Sequence, residues 1–78
     1  MTLNDVLTEY DNKDFAVVEC RTIISIDSDD VEVTGFCSYR DKELINLDDD
    51  CIYSLDNNVI KYELYKDDWL VIWLESEG

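Results

Sequence analysis

The stretch FAVVECRTIISIDSDDVEVTGFCSY (residues 15–39) decides the fold. Its first half is rich in β-branched residues. Ala16, Val18, Cys20, Thr22, Ile24 and Ile26 fall on one side at a period of two, the signature of a half-buried strand. Val31, Val33, Gly35, Cys37 and Tyr39 repeat the pattern. Join the halves through Asp27-Ser28-Asp29-Asp30 and pair Ile26 with Val31. Ile24 then meets Val33, Thr22 meets Gly35, Cys20 meets Cys37, and Val18 meets Tyr39. Every member of one set lands on a member of the other. A slip of one residue would turn the whole set to solvent, so this agreement argues for a hairpin of strands 15–26 and 31–39. It also places Cys20 beside Cys37 as packed thiols.

The same test works at the C-terminus. Residues 59–65 and 69–75 pair through Lys66-Asp67-Asp68, setting Ile60 on Leu74, Tyr62 on Ile72 and Leu64 on Leu70. The opposite face pairs Lys61 with Trp73, Glu63 with Val71, and Tyr65 with Trp69. Lys61 over Trp73 makes a cation–π pair. Two shorter strands, 43–47 and 51–55, lie between the hairpins with no register set by the pattern.

Ahead of them, Thr2-Leu3-Asn4-Asp5 reads as a helix start. Thr2 caps, and Asp5 puts a negative charge in the first turn, where the helix dipole favours it. Leu3, Val6, Leu7 and Tyr10 follow on one face. The expectation is one α+β domain, residues 1–78. A helix over 2–11 packs on a five- or six-stranded, mostly antiparallel, strongly curved sheet. The helix covers Ile60, Leu64, Leu70, Ile72 and Leu74.

The last strand is apolar on both sides, since Trp69, Val71 and Trp73 alternate with Leu70, Ile72 and Leu74. One helix covers one side. Either the sheet curls around the Trp side, or that side meets a second copy or another partner.

Charge is the dominant fact of composition. Twenty Asp and Glu oppose six Lys and Arg, a net −14. Solubility asks for a magnitude of only about 2–8 in a small domain. Nucleic acid and anionic membranes would repel such a chain, and a basic protein is its natural complement. The acids gather in turns: Asp27, Asp29 and Asp30; Asp48, Asp49 and Asp50; Asp67 and Asp68; Asp11 and Asp14 after the helix. Glu19, Glu32, Glu43 and Glu63 point outward from strands. Asp also favours turns for local reasons, so solubility alone remains a competing explanation.

Several chemistries are missing. The chain has no His, hence no imidazole base for a nucleophile. It has no Gly-rich phosphate loop. Asp48-Asp49-Asp50 invites calcium, but counting from Asp48 an EF-hand needs a carboxylate where Ile52 stands, a Gly at Tyr53 and a Glu at Val59. The three cysteines, Cys20, Cys37 and Cys51, form no CxxC and no even framework. No apolar run reaches the ~20 residues of a membrane span, and no secretory leader is visible. Free thiols in the host cytoplasm are expected, with no catalysis, metal or cofactor.

The opening carries a resemblance. Leu3, Asn4, Asp5, Val6, Leu7 and Glu9, then Asn12-Lys13-Asp14-Phe15 and Val17, resemble the N-terminus of a type II-A anti-CRISPR family that inhibits a Cas nuclease. The likeness implies a helix leading into an antiparallel sheet. It also implies an acidic surface that occupies the cleft reading the PAM duplex, with Asp14 in that surface. That family ends in two helices, whereas residues 69–75 here read as a strand.

The expected function is a phage-encoded, non-enzymatic inhibitor. Clustered carboxylates would mimic nucleic acid in a basic groove of a host defence protein, a CRISPR effector first among candidates. The expected contacts are Asp14, Asp27, Asp29, Asp30, Asp48, Asp49, Asp50, Asp67, Asp68, Trp69 and Trp73. The alternative is an interaction or assembly module working through the aromatic face, including a homodimer, with acidity serving solubility.

Overall fold

The computed structural model describes residues 1–48 and 52–75. It holds one helix, α1 (Leu3–Glu9), and five strands: β1 (Phe15–Ile26), β2 (Asp29–Arg40), β3 (Glu43–Asn46), β4 (Val59–Lys66) and β5 (Trp69–Leu74). They form a single sheet in the order β3-β2-β1-β5-β4.

The α+β class holds, but the sheet is mixed and open rather than mostly antiparallel and strongly curved. Its central pair, β1 with β5, is parallel, from Val17 on Trp69 to Thr22 on Leu74. The reason lies in β5 itself. A strand apolar on both faces is stable in the middle of a sheet, where parallel pairs are found. The two strands least able to be buried take the edges. β3 is only four residues long, and β4 carries Lys61, Glu63 and Lys66.

Both hairpins form, with adjusted registers. β1 and β2 pair Ile24 with Val31, Thr22 with Val33, Cys20 with Gly35, and Val18 with Cys37. This is a shift of two residues from the expected register, so residues from Val18 onward keep their faces; an irregularity between Phe15 and Val18 turns Phe15 inward and leaves Ala16, expected inward, exposed. The cause is the turn. Asp27 and Ser28 have φ of 49° and 70°, and this two-residue loop brings Asp29 and Asp30 into the ladder. A turn with positive φ at both centres matches strand twist better than a longer loop. Asp41 and Lys42, with φ of 52° and 64°, repeat the device between β2 and β3. In the C-terminal hairpin the pairs Lys61–Trp73, Tyr62–Ile72, Glu63–Val71 and Leu64–Leu70 stand as expected. Irregularities at Ile60 and Tyr65 shift the ends, so Val59 meets Leu74 and Lys66 meets Trp69. The expected strand over 51–55 does not form: residues 52–54 carry no strand, and Cys51 lies outside the described residues.

The helix is shorter than expected, and its start is a full capping box. Thr2 Oγ1 accepts from Asp5 N at 3.3 Å, and Asp5 Oδ2 accepts from Thr2 N at 2.9 Å. Leu3 N and Asn4 N donate to Asn57 O and Leu55 O, so the loop before β4 satisfies the free helix amides. Hydrogen bonding from Thr2, its backbone N–H first and its side chain second, holds the Asp5 carboxyl below its ordinary 3.8. Its contribution is therefore complete above that pH and fades as pH falls through the lower folded value. Thr2→Ala is expected to cost about 1 kcal/mol of stability, seen as a lower urea midpoint.

The core lies between α1 and one side of the sheet. Leu3, Val6 and Leu7 meet Phe15, Val18, Cys20, Cys37, Tyr39, Leu70, Ile72 and Leu74. Val59 takes the inward place expected of Ile60, which is 64% exposed, and Leu64 is 41% exposed. The irregularity in β4 after Val59 explains the exchange, because one extra residue reverses the side chain's face.

Candidate interaction surfaces

Carboxylates collect at two opposite poles. One pole is the β1–β2 turn, with Asp27, Asp29 and Asp30 all exposed. β1 and β2 outrun the sheet here, since β5 stops opposite Thr22 and β3 pairs only as far as Cys37. A two-stranded arm therefore projects with acids at its tip, which accounts for extents of 39 × 24 × 22 Å. The other pole gathers the loops at the start of β1. Because β1 and β5 run parallel, the Asp67–Asp68 turn lands beside Asp14, and Val17 N donates to Asp68 O at 3.1 Å. Asp41 joins them, its backbone N donating to Asp14 Oδ1 at 3.1 Å.

The expected contact residues thus do not form one patch. Asp14, Asp67 and Asp68 share one pole; Asp27, Asp29 and Asp30 share the other. Twelve residues of β1 separate them, about 40 Å of strand. Asp48 belongs to neither. Its Oδ2 accepts from Phe36 N at 2.9 Å, so the carboxylate lies at the edge of β2, away from both poles. Asp49 and Asp50 lie outside the described residues. Among the described residues no group of three His, Cys, Asp or Glu is placed to hold a metal ion. None of the described helices is long and apolar enough to cross a membrane.

Six cations cannot offset twenty acids, and several of the six face groups other than carboxylates. Lys61 Nζ lies 4.5 Å from the Trp73 ring centroid, the pair expected from the register. Lys66 Nζ lies 5.4 Å from that of Tyr65. Lys13 lies over Phe15 and donates to the carbonyl of Asp67. Three lysines therefore meet rings or a carbonyl. Arg21 does pair with carboxylate, at 2.6 Å to Glu19 and 3.7 Å to Glu32, and its guanidinium lies 5.2 Å from Trp73.

The sheet side away from α1 is a second surface. β5 presents Trp69, Val71 and Trp73 there, β1 presents Val17, Glu19, Arg21 and Ile23, and β2 presents Phe36. No described helix crosses this side, and the sheet does not curl over it. Trp69 and Trp73 are half-buried by their neighbours alone, with Tyr65 edge-on to Trp69 at 5.3 Å. The indole N–H of Trp69 is buried and meets no acceptor among the described residues. A shallow groove of about 330 Å³ runs beside it, lined by Glu19, Arg21, Tyr65, Lys66, Trp69 and Val71.

This side is nearly neutral. By register it carries five acids, Glu19, Asp30, Glu32, Glu43 and Glu63. Against them stand four of the six cations, Arg21, Arg40, Lys61 and Lys66. The local net of −1 leaves −13 of the −14 elsewhere. Arg21 was not singled out from the sequence. Its signal was the spacing Glu19-x-Arg21, which puts opposite charges two residues apart on one strand face.

The thiols are packed, as expected, though diagonal rather than opposite. Cys20 faces Gly35, Cys37 faces Val18, and both thiols are buried. The adjoining Cys37 thiol, then burial, push Cys20 far above the ordinary thiol range, so it stays neutral. Asn46, unnoticed in the sequence, ties the 52–55 segment to β3. Its Oδ1 accepts from Tyr53 N at 2.8 Å and from Cys37 Sγ at 3.3 Å.

No family model, curated protein or solved structure matches the chain.

Proposed function

We propose that the protein is a non-enzymatic inhibitor of the anti-CRISPR kind, carried by a phage, that blocks the basic nucleic-acid-binding surface of a host defence protein. The observation that carries this reading is the pair of uncompensated acidic poles. Asp27 and Asp29 stand at one end, Asp14, Asp67 and Asp68 at the other; twenty acids outnumber six cations in the chain, and Lys13, beside the second pole, is engaged with a ring and a carbonyl. Their separation of about 40 Å approaches one turn of duplex DNA, about 34–36 Å. A groove that binds phosphates on both sides of one helical turn is complementary to both poles at once. Each contact would be a charge-assisted pair with Lys or Arg.

The test uses an immobilised, guide-loaded Cas effector. Neutralising one pole, Asp27→Asn with Asp29→Asn, is expected to weaken binding about tenfold and to slow association more than dissociation would change. Neutralising Asp67 and Asp68 should do the same. Binding unchanged by both pairs would remove the acidic surface from the mechanism.

The uncovered aromatic side favours a second reading, an interaction module whose acidity only maintains solubility. Its complex would tolerate salt and fail on Trp73→Ala, while the polar variants would bind normally.

A further inference from the structure

We infer that the open side of the sheet is the interface of a symmetric dimer, closed by a second copy of the same chain. This inference does not depend on the acidic poles.

The observation is an ordering of residues in two adjacent rows. Across β2, β1, β5 and β4, one row reads Phe36, Glu19, Val71, Glu63. The next row reads Thr34, Arg21, Trp73, Lys61. The first row is acidic with a small centre; the second is basic with a large one. The rows are about 7 Å apart, two residues along a strand.

Stack a second copy face to face about a two-fold axis that crosses the strands between the rows. Each row then lies on the other row of the second copy. Glu19 meets the second copy's Arg21, and Glu63 meets its Lys61. Val71 meets Trp73, and Phe36 meets Thr34. Every column is complementary, in charge at two and in size at two. An isologous interface requires this kind of self-complementarity. The strands of the two sheets run nearly antiparallel, compatible with aligned sheet packing.

Charge and area support a second copy as the occupant. Two chains of −14 repel each other over most of their surfaces. Facing each other across the nearly neutral side keeps both acidic sets at the periphery. Four strands at about 4.8 Å and six residues at about 3.3 Å give a patch of about 19 × 20 Å. Its relief and the adjoining arm, with Ile23 45% exposed, bring it toward the ~800 Å² per partner of a stable interface. Desolvation is already partly spent: Glu19 is 8% exposed in the single chain and holds Arg21 at 2.6 Å.

Sedimentation velocity over a wide range of concentration tests the proposal with Lys61→Glu, Glu63→Lys and the double swap. Both side chains are exposed, so each variant is expected to fold, and circular dichroism checks this. The wild type should dimerise. Each single reversal should weaken the dimer about tenfold, and the double swap should restore it. Net charge alone predicts otherwise, since Glu63→Lys lowers the repulsion and would strengthen association. A wild type that sediments as a monomer at every concentration overturns the proposal, and so does a dimer that Glu63→Lys strengthens or the swap does not restore. A face reserved for a different protein would give the monomer result.

Discussion

Phe15→Ala should lower unfolding free energy by about 3–5 kcal/mol, the range for deleting a buried aromatic ring. Phe15 is fully buried where β1 begins, under the end of α1. Its ring meets Tyr10 edge-on at 5.7 Å, and Tyr10 in turn meets Tyr62 at 6.2 Å. Tyr62 donates its hydroxyl to Glu9, which closes the cluster at the helix C-terminus. Removing Phe15 opens a cavity between the end of α1 and the start of β1. A chain of 78 residues has a total stability of about 4–12 kcal/mol, so this variant should lose a large share of it. Ile60→Ala provides the contrast. Its side chain points outward, and the change should remain within about 0.5 kcal/mol. Urea denaturation separates the two by midpoint.

Gly35→Ala should cost about 1–3 kcal/mol, although only one methyl is added. A Cβ at this position would stand 2.5 Å from Tyr53 Cε2 and 2.5 Å from its hydroxyl oxygen. The ring cannot withdraw easily. Asn46 holds the Tyr53 backbone through both N–H and C=O, at 2.8 and 3.3 Å. Gly35 is thus present to let a side chain lie flat on β2, not to allow a special turn. A double-mutant cycle makes this specific. With Tyr53→Ala in the background, Gly35→Ala should lose most of its cost. An undiminished cost would place the strain elsewhere.

Much of this architecture was legible in the sequence because it is local. Alternation identifies a strand, and two adjacent strands test one another's register. That is why the faces of β1 from Val18 onward and of β2 agree with the pattern even though the register moved by two, whereas Phe15 and Ala16, before the irregularity in β1, exchange places. The shift was hidden because Asp27-Ser28 contains no Gly, and a turn with two positive φ values is usually sought at Asn-Gly or Asp-Gly. The parallel pairing of β1 with β5 joins segments about 50 residues apart, and no local comparison reaches it. The clue was β5 itself, apolar on both sides and therefore central. The second acidic pole followed only from that pairing, which carries Asp67 and Asp68 to Asp14. The bond from Phe36 N to Asp48 had no signal in the sequence, since a carboxylate that caps a strand edge looks there like one in a solvated turn. The uncovered Trp69–Trp73 side was visible as an excess of apolar surface; that it stays open depends on strand order.

The most direct measurement follows a labelled PAM duplex on a guide-loaded Cas effector by fluorescence anisotropy while the protein is titrated in. At about 50 mM salt the duplex should be displaced, and at about 200 mM displacement should need at least about tenfold more protein. The variant carrying Asp27→Asn, Asp29→Asn, Asp67→Asn and Asp68→Asn should fail to displace it at either concentration. A duplex that stays bound at saturating protein would contradict the proposed mechanism. Displacement indifferent both to salt and to the four substitutions would contradict it as well.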